Sequence, residues 1–110
     1  MPTMLVRKRS GSIVDFDRSR IESAISRAYI ETETVIEDID LSQLVERIII
    51  AINDTYGDDR IPNVEDIQDI VEHAIAQKGD FAVAKAYIIY RQKHAEERYL
   101  EQQARLEAVD

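Results

Sequence analysis

Apolar residues recur along this chain in two rhythms. Two short runs bounded by a turn come first, and spacing by three and four residues takes over after Asp17. Met4 to Arg9 and Ile13 to Phe16 flank Ser10-Gly11-Ser12, which predicts a β-hairpin. Asp17 is placed to cap a helix whose stripe is Ile21, Ala24, Ile25, Ala28 and Tyr29, fading at the acidic stretch from Glu31 to Glu33. Asp40 with Gln43 resembles a capping box, and Leu41, Leu44, Val45, Ile48, Ile49 and Ile52 form a second stripe. Tyr56-Gly57-Asp58-Asp59 breaks it, and Arg60-Ile61 is expected to add a third short strand before Pro62. Asn63 caps a third helix carrying Val64, Ile67, Ile70, Val71, Ala74 and Ile75, closed by Gly79. Asp80 opens a fourth, expected to bury Phe81, Ala84, Tyr87, Ile88 and, at its margin, Tyr90. From His94 onward the pattern reads as a solvated helix or a linker.

Helices with one apolar stripe each must bury those stripes against one another. The expected fold class is therefore α+β and mostly α: a four-helix bundle capped by a small two- to three-stranded β-sheet. One domain over residues 4–95 is expected, with 96–110 as a charged helical tail or linker.

Composition narrows the chemistry. The 110 residues include no cysteine, which excludes disulfides, thiolate zinc sites and thiol nucleophiles. No apolar run is long enough to span a bilayer, so no membrane partner is expected and the cytoplasm is the default location. A net charge of −8 opposes nucleic-acid binding. That charge is unevenly spread. Residues 1–27 hold Arg7, Lys8, Arg9, Arg18, Arg20 and Arg27 against Asp15, Asp17 and Glu22, a local +3, which leaves −11 on residues 28–110. A positive end on an acidic body fits one small anion better than a long polyanion.

Val6-Arg7-Lys8-Arg9-Ser10-Gly11 places three cations before a tight turn, and strand alternation sends Arg7 and Arg9 to one face and Lys8 to the other. Arg18 and Arg20 then fall in the first turn of a helix, where the macrodipole already disfavours positive charge. A phosphate chain shared by Lys8, Arg9, Arg20 and free helix N–H groups would compensate. The plainer alternative is a charge-protected edge strand and surface ion pairs with Asp15, Asp17 and Glu22. With glycine only at positions 11, 57 and 79, no phosphate-binding glycine loop exists. His73 and His94 lie on separate predicted helices without a matching carboxylate pair, so no metal site is expected. Around Tyr87 and Tyr90, periodicity alone fits both a core aromatic cluster and a slot for a purine ring.

Taken in order, Val6-Arg7-Lys8-Arg9-Ser10-Gly11, Phe16-Asp17, Arg20-Ile21, Val64 to Val71 and Val83-Ala84-Lys85-Ala86-Tyr87 with Tyr90-Arg91 resemble the ATP-cone family. That family comprises the nucleotide-sensing domains of ribonucleotide reductases and of a repressor of their genes. The resemblance covers roughly residues 4–95. It implies ATP or dATP between the β cap and the helices, with Mg2+ on the phosphates. Lys8, Arg9 and Arg20 would then hold phosphates, while Val6, Phe16, Ile21 and Ile67 line the base. Gln68, Arg91 and Lys93 are further candidates. Many family members have Asp where this chain has Ser10. The repressors carry a cysteine zinc ribbon that a cysteine-free chain lacks, which disfavours a transcriptional role.

The resemblance also implies an allosteric domain without catalytic residues, which controls a reductase subunit through nucleotide-dependent homo-oligomerisation. The alternative from another class is a helical interaction module whose basic end docks an acidic protein surface. An enzyme ranks last, because no nucleophile–base pair can be named.

Overall fold

The structure is a computed structural model that describes residues 4–57 and 59–107. Its elements are β1 (Leu5–Arg7), β2 (Ile13–Asp15), α1 (Arg18–Glu31), α2 (Asp38–Tyr56), α3 (Val64–Lys78) and α4 (Phe81–Glu107). The two strands pair antiparallel with Leu5 opposite Asp15, Val6 opposite Val14 and Arg7 opposite Ile13. Gly11 takes the turn with φ at +92°, a left-handed backbone that favours glycine. The expected third strand at Arg60-Ile61 does not form. In its place β1 meets the following segment once, through Arg7 N–H donating to the Pro62 carbonyl at 2.9 Å and a parallel bridge between Arg7 and Asn63. Pro62 has no N–H with which to continue a ladder, and Asn63 already begins a helix.

Asp17 caps α1 as expected, its carboxylate accepting from Ser19 N–H at 3.0 Å and from the Ser19 hydroxyl at 2.6 Å. The α2 boundary differs from expectation. The helix begins at Asp38 behind Glu37, not behind Asp40, and no side chain caps it. Asp38 and Asp40 both lie in the first turn, where carboxylates favour the positive helix end without a direct cap. Asp66 accepts from Asn63 N–H at 3.3 Å at the start of α3, and Gly79 ends that helix with φ at +97°. Beyond His94, α4 continues as helix through Glu107.

The helices pack in a closed ring, each against two neighbours in the order α1, α2, α3, α4 and back to α1. Ile25, Val45, Ile48 and Ile75 lie at the centre with no exposed surface. Burying each such side chain stabilises by about 1.5–3 kcal/mol. Phe81 departs from expectation, being 71% exposed while Val83, Ala84 and Tyr87 turn inward. It is the first residue of α4, level with the ends of α1 and α3, so no later turn of either helix covers it. No described helix is long and apolar enough to cross a membrane.

Because β2 leads into α1 and β1 is tied to the start of α3, the hairpin sits over one end of the ring. The other end is fastened separately. There the Tyr29 hydroxyl of α1 donates to Asp80 Oδ2 at 2.5 Å, and Lys78 Nζ donates to the same oxygen at 2.9 Å.

Candidate functional site

Between the hairpin and the first turns of α1 and α3 lies a cleft of about 250 Å³, lined by residues of all three. Its apolar side is Val6, Val14, Phe16, Ile21, Val64 and Ile67, and its charged rim is Lys8, Arg9, Asp15, Asp17 and Arg20. Local chemistry places each part. Val6 and Val14 are cross-strand partners, so one sheet face offers both to the cleft. Lys8 follows the end of β1, its N–H donating to the Ser12 carbonyl at 2.8 Å and its carbonyl accepting from Gly11 N–H at 2.9 Å. The chain thus turns between Lys8 and Arg9, and strict strand alternation no longer separates them. Ile21 is one turn into α1, and Val64 and Ile67 are one turn apart at the head of α3.

Of the residues singled out from sequence, Val6, Lys8, Arg9, Phe16, Arg20, Ile21 and Ile67 converge on this cleft. Gln68 borders it through Arg9, whose Nη2 donates to Gln68 Oε1 at 3.4 Å. Arg91 and Lys93 are not among the lining residues. Arg91 instead lies along α3, pairing with Asp69 at 2.7 Å and Glu72 at 3.9 Å and donating to the Glu65 carbonyl at 3.4 Å. Val14, Asp15, Asp17 and Val64 line the cleft without having been picked out as site residues. The strand register marks Val14 as the partner of Val6, and the spacing of three marks Val64 as the neighbour of Ile67.

The electrostatics refine the sequence picture. The helix N–H groups expected to be free for phosphate are partly engaged, since Asp17 takes Ser19 N–H and the Asp17 carbonyl accepts Arg20 N–H at 3.2 Å. Those Ser19 bonds, followed by the nearby Arg20 charge, hold the Asp17 carboxyl below its ordinary value. Arg18 points away from the cleft. It pairs with Glu22 at 2.8 Å and with Glu46, and it donates to the Ser42 hydroxyl at 3.3 Å, tying α1 to α2. Three cations therefore remain on the cleft: Lys8, Arg9 and Arg20.

The aromatic alternative resolves toward the core. Tyr87 is buried, and that burial raises its hydroxyl well above the ordinary tyrosine range. Tyr90 packs against His94 at 4.3 Å between ring centroids and accepts from Arg27 at 3.3 Å. Neither lines the cleft.

Comparison with known proteins identifies the family. The family model for the ATP cone domain matches residues 4–96. A vitamin B12-dependent ribonucleoside-diphosphate reductase of Mycobacterium tuberculosis (strain CDC 1551 / Oshkosh) is 44% identical over 91 residues, which is 83% of this chain and 12% of the reductase. The ribonucleoside-diphosphate reductase subunit alpha of Chlamydia trachomatis serovar D is 33% identical over 102 residues, covering 84% of this chain and 10% of that subunit. A vitamin B12-dependent reductase of Thermoplasma acidophilum is 33% identical over 93 residues, covering 80% and 12% respectively. The chain thus spans about a tenth of the length of these relatives. With the match running from the hairpin into α4, the chain belongs to the ATP-cone domain family.

Proposed function

We propose that this chain is a nucleotide-sensing regulatory domain of a ribonucleotide reductase, binding ATP or dATP in the cleft between the β cap and the helices. The observation that carries the reading is the meeting of three cations and six apolar side chains in one cleft, as a purine joined to a phosphate chain requires. At about 250 Å³ the cleft is smaller than the ~300–1,000 Å³ typical of ligand pockets, so it takes the base while the phosphates lie across the basic rim. Val6, Phe16, Ile21 and Ile67 form the floor for the base; Lys8, Arg9 and Arg20 hold phosphate, with Gln68 at the edge. Arg91 and Lys93, on α4, are outside the cleft lining, and Arg91 would have to leave Asp69 to take part. Among the described residues no group of three or more His, Asp or Glu side chains is placed to hold a metal ion. In this reading Mg2+ rides on phosphate oxygens.

Regulation follows from linkage. ATP and dATP differ by one hydroxyl, and a site that contacts it couples ligand identity to assembly by about 1–3 kcal/mol. Oligomerisation with further copies, or with a reductase subunit, needs apolar surface outside the cleft. Ile30, Val35 and Ile39 supply it, exposed among Glu31, Glu33, Glu37, Asp38 and Asp40. Residues 4–95 form the sensing unit in this proposal, and 96–110 the tail toward the reductase.

Thermal unfolding with ATP, dATP and GTP at matched ionic strength tests the assignment. A ligand at a hundred times its Kd stabilises by about 2.7 kcal/mol, and only the adenine nucleotides are expected to do so. Lys8→Ala and Arg20→Ala reduce that gain. Equal, salt-sensitive shifts with GTP and tripolyphosphate would mean anion docking without a base site.

A further inference from the structure

The three cations on the cleft are not in the same state. Lys8 makes no ion pair among the described residues, and the carboxylate nearest Arg20 is Asp17 at 3.9 Å, with 77% of the Arg20 side chain exposed. Arg9 is held. Its Nε lies 2.8 Å from Glu65 Oε1 and its Nη2 donates to Gln68 Oε1 at 3.4 Å, so it spans from the hairpin turn to the first turns of α3. Glu65 and Gln68 are three apart and share a helix face, which is why one guanidinium reaches both.

We infer that Glu65 is a tethered anion competing with the ligand's phosphates for Arg9, so that it sets how long a phosphate chain must be to draw the Arg9 side chain off α3. The inference rests on the nucleotide assignment above and adds a specificity-determining residue to it. A carboxylate and a phosphate offer a guanidinium the same forked acceptor, so one replaces the other without new geometry. The pair is partly exposed, 29% for Arg9 and 46% for Glu65, and screened pairs of this kind are weak enough for a polyanion to displace. A single phosphate is satisfied by Lys8 and Arg20, which are the more available cations, and it leaves Arg9 on Glu65. A triphosphate extends to Arg9 and draws it off. The helix head stays in place meanwhile, because Arg91 independently grips Asp69 and the Glu65 carbonyl from α4. What changes is the Arg9 tie and the charge of Glu65, which faces solvent once freed.

The test is calorimetric titration of the full chain with adenosine, AMP and ATP, using wild type, Glu65→Gln, Arg9→Ala and the double variant. Glu65→Gln is expected to tighten ATP about threefold to fivefold, about 0.6–1 kcal/mol, the range of a screened ion pair. AMP and adenosine should change by less than about twofold. In the Arg9→Ala background the gain should vanish. ATP binding that Glu65→Gln leaves unchanged or weakens overturns the competition, as does an equal gain for AMP or a gain that persists without Arg9. A wild-type chain that binds neither ATP nor adenosine removes the nucleotide assignment and this inference with it, whereas normal ATP binding with an indifferent Glu65→Gln removes this inference alone.

Discussion

Replacing Tyr29 by Phe isolates one hydroxyl at the end of the bundle away from the cleft. The ring is 1% exposed and keeps its packing; what disappears is the hydrogen bond from the hydroxyl to Asp80 Oδ2. A hydrogen bond to a charged group contributes about 1.5–3 kcal/mol. Asp80 retains Lys78 at 2.9 Å, and 27% of its side chain meets solvent that can replace the lost donor. The expected loss is therefore near the low end, about 1.5 kcal/mol, or roughly 6–10 °C in Tm for a domain of this size. Acidity provides the sharper test. The Tyr29 hydroxyl, then Lys78, hold the Asp80 carboxyl below its ordinary value, while burial and then the Asp80 bond raise the Tyr29 hydroxyl and keep it a donor. A depressed carboxyl contributes stability that is fully present above its unfolded value, about 3.9, and lost as pH falls through the folded one. The gap between wild type and Tyr29→Phe should accordingly narrow below about pH 4. Urea unfolding followed by circular dichroism at pH 7 and at stepwise lower pH measures it. A gap under about 0.5 kcal/mol at pH 7, or one that persists undiminished to about pH 2, refutes the reasoning. ATP affinity serves as the control and should be unchanged.

Two further substitutions separate architecture from binding. Arg91→Ala removes a guanidinium only 17% exposed from Asp69, Glu72 and the Glu65 carbonyl, and is expected to cost about 1 kcal/mol in urea unfolding. If Arg91 stays on α3 in the liganded state, ATP affinity falls less than about twofold; a tenfold loss, about 1.4 kcal/mol, would mean that it swings onto the phosphates. Gly79→Ala places a side chain where φ is +97° but where an added Cβ meets nothing within 4 Å, so backbone strain alone should lower stability by about 1–2 kcal/mol. Gly79→Asn should cost less, and thermal unfolding of the two variants side by side checks the order.

The helices were legible because each carries its stripe at helical spacing, and their ends follow from residue types with specific backbone roles: the Asp17 carboxylate on Ser19 N–H, the Asp66 carboxylate on Asn63 N–H, and the left-handed backbone of Gly79. The α2 boundary was not, since Asp38 and Asp40 favour the helix end through the dipole without a cap signature. Arg60-Ile61 looked like a strand because its sequence is compatible with one. Arg60 instead folds back to donate to the Thr55 carbonyl at 2.5 Å and sits 5.3 Å from the Tyr56 ring centroid. Phe81 misled because periodicity gives the face of a residue but not whether a neighbour reaches it. On the cleft, residue type identified the cations that gather there, yet their partners were hidden. Whether Arg9 meets Glu65, or Arg18 meets Glu46, depends on contacts across 56 and 28 positions of chain, which local pattern does not encode.

The length of α4 has a mechanical corollary. It runs 27 residues beside neighbours α1 and α3 of 14 and 15, so by length its last turns extend past the hairpin end of those two helices. At 1.5 Å per residue a dozen such residues make a lever of about 18 Å, and a tilt of about 10° at its fulcrum swings the tip by about 3 Å. Small repacking where the nucleotide is proposed to sit would thus be magnified at the distal end, giving whatever is joined there a displacement large enough to remake or break a packed contact.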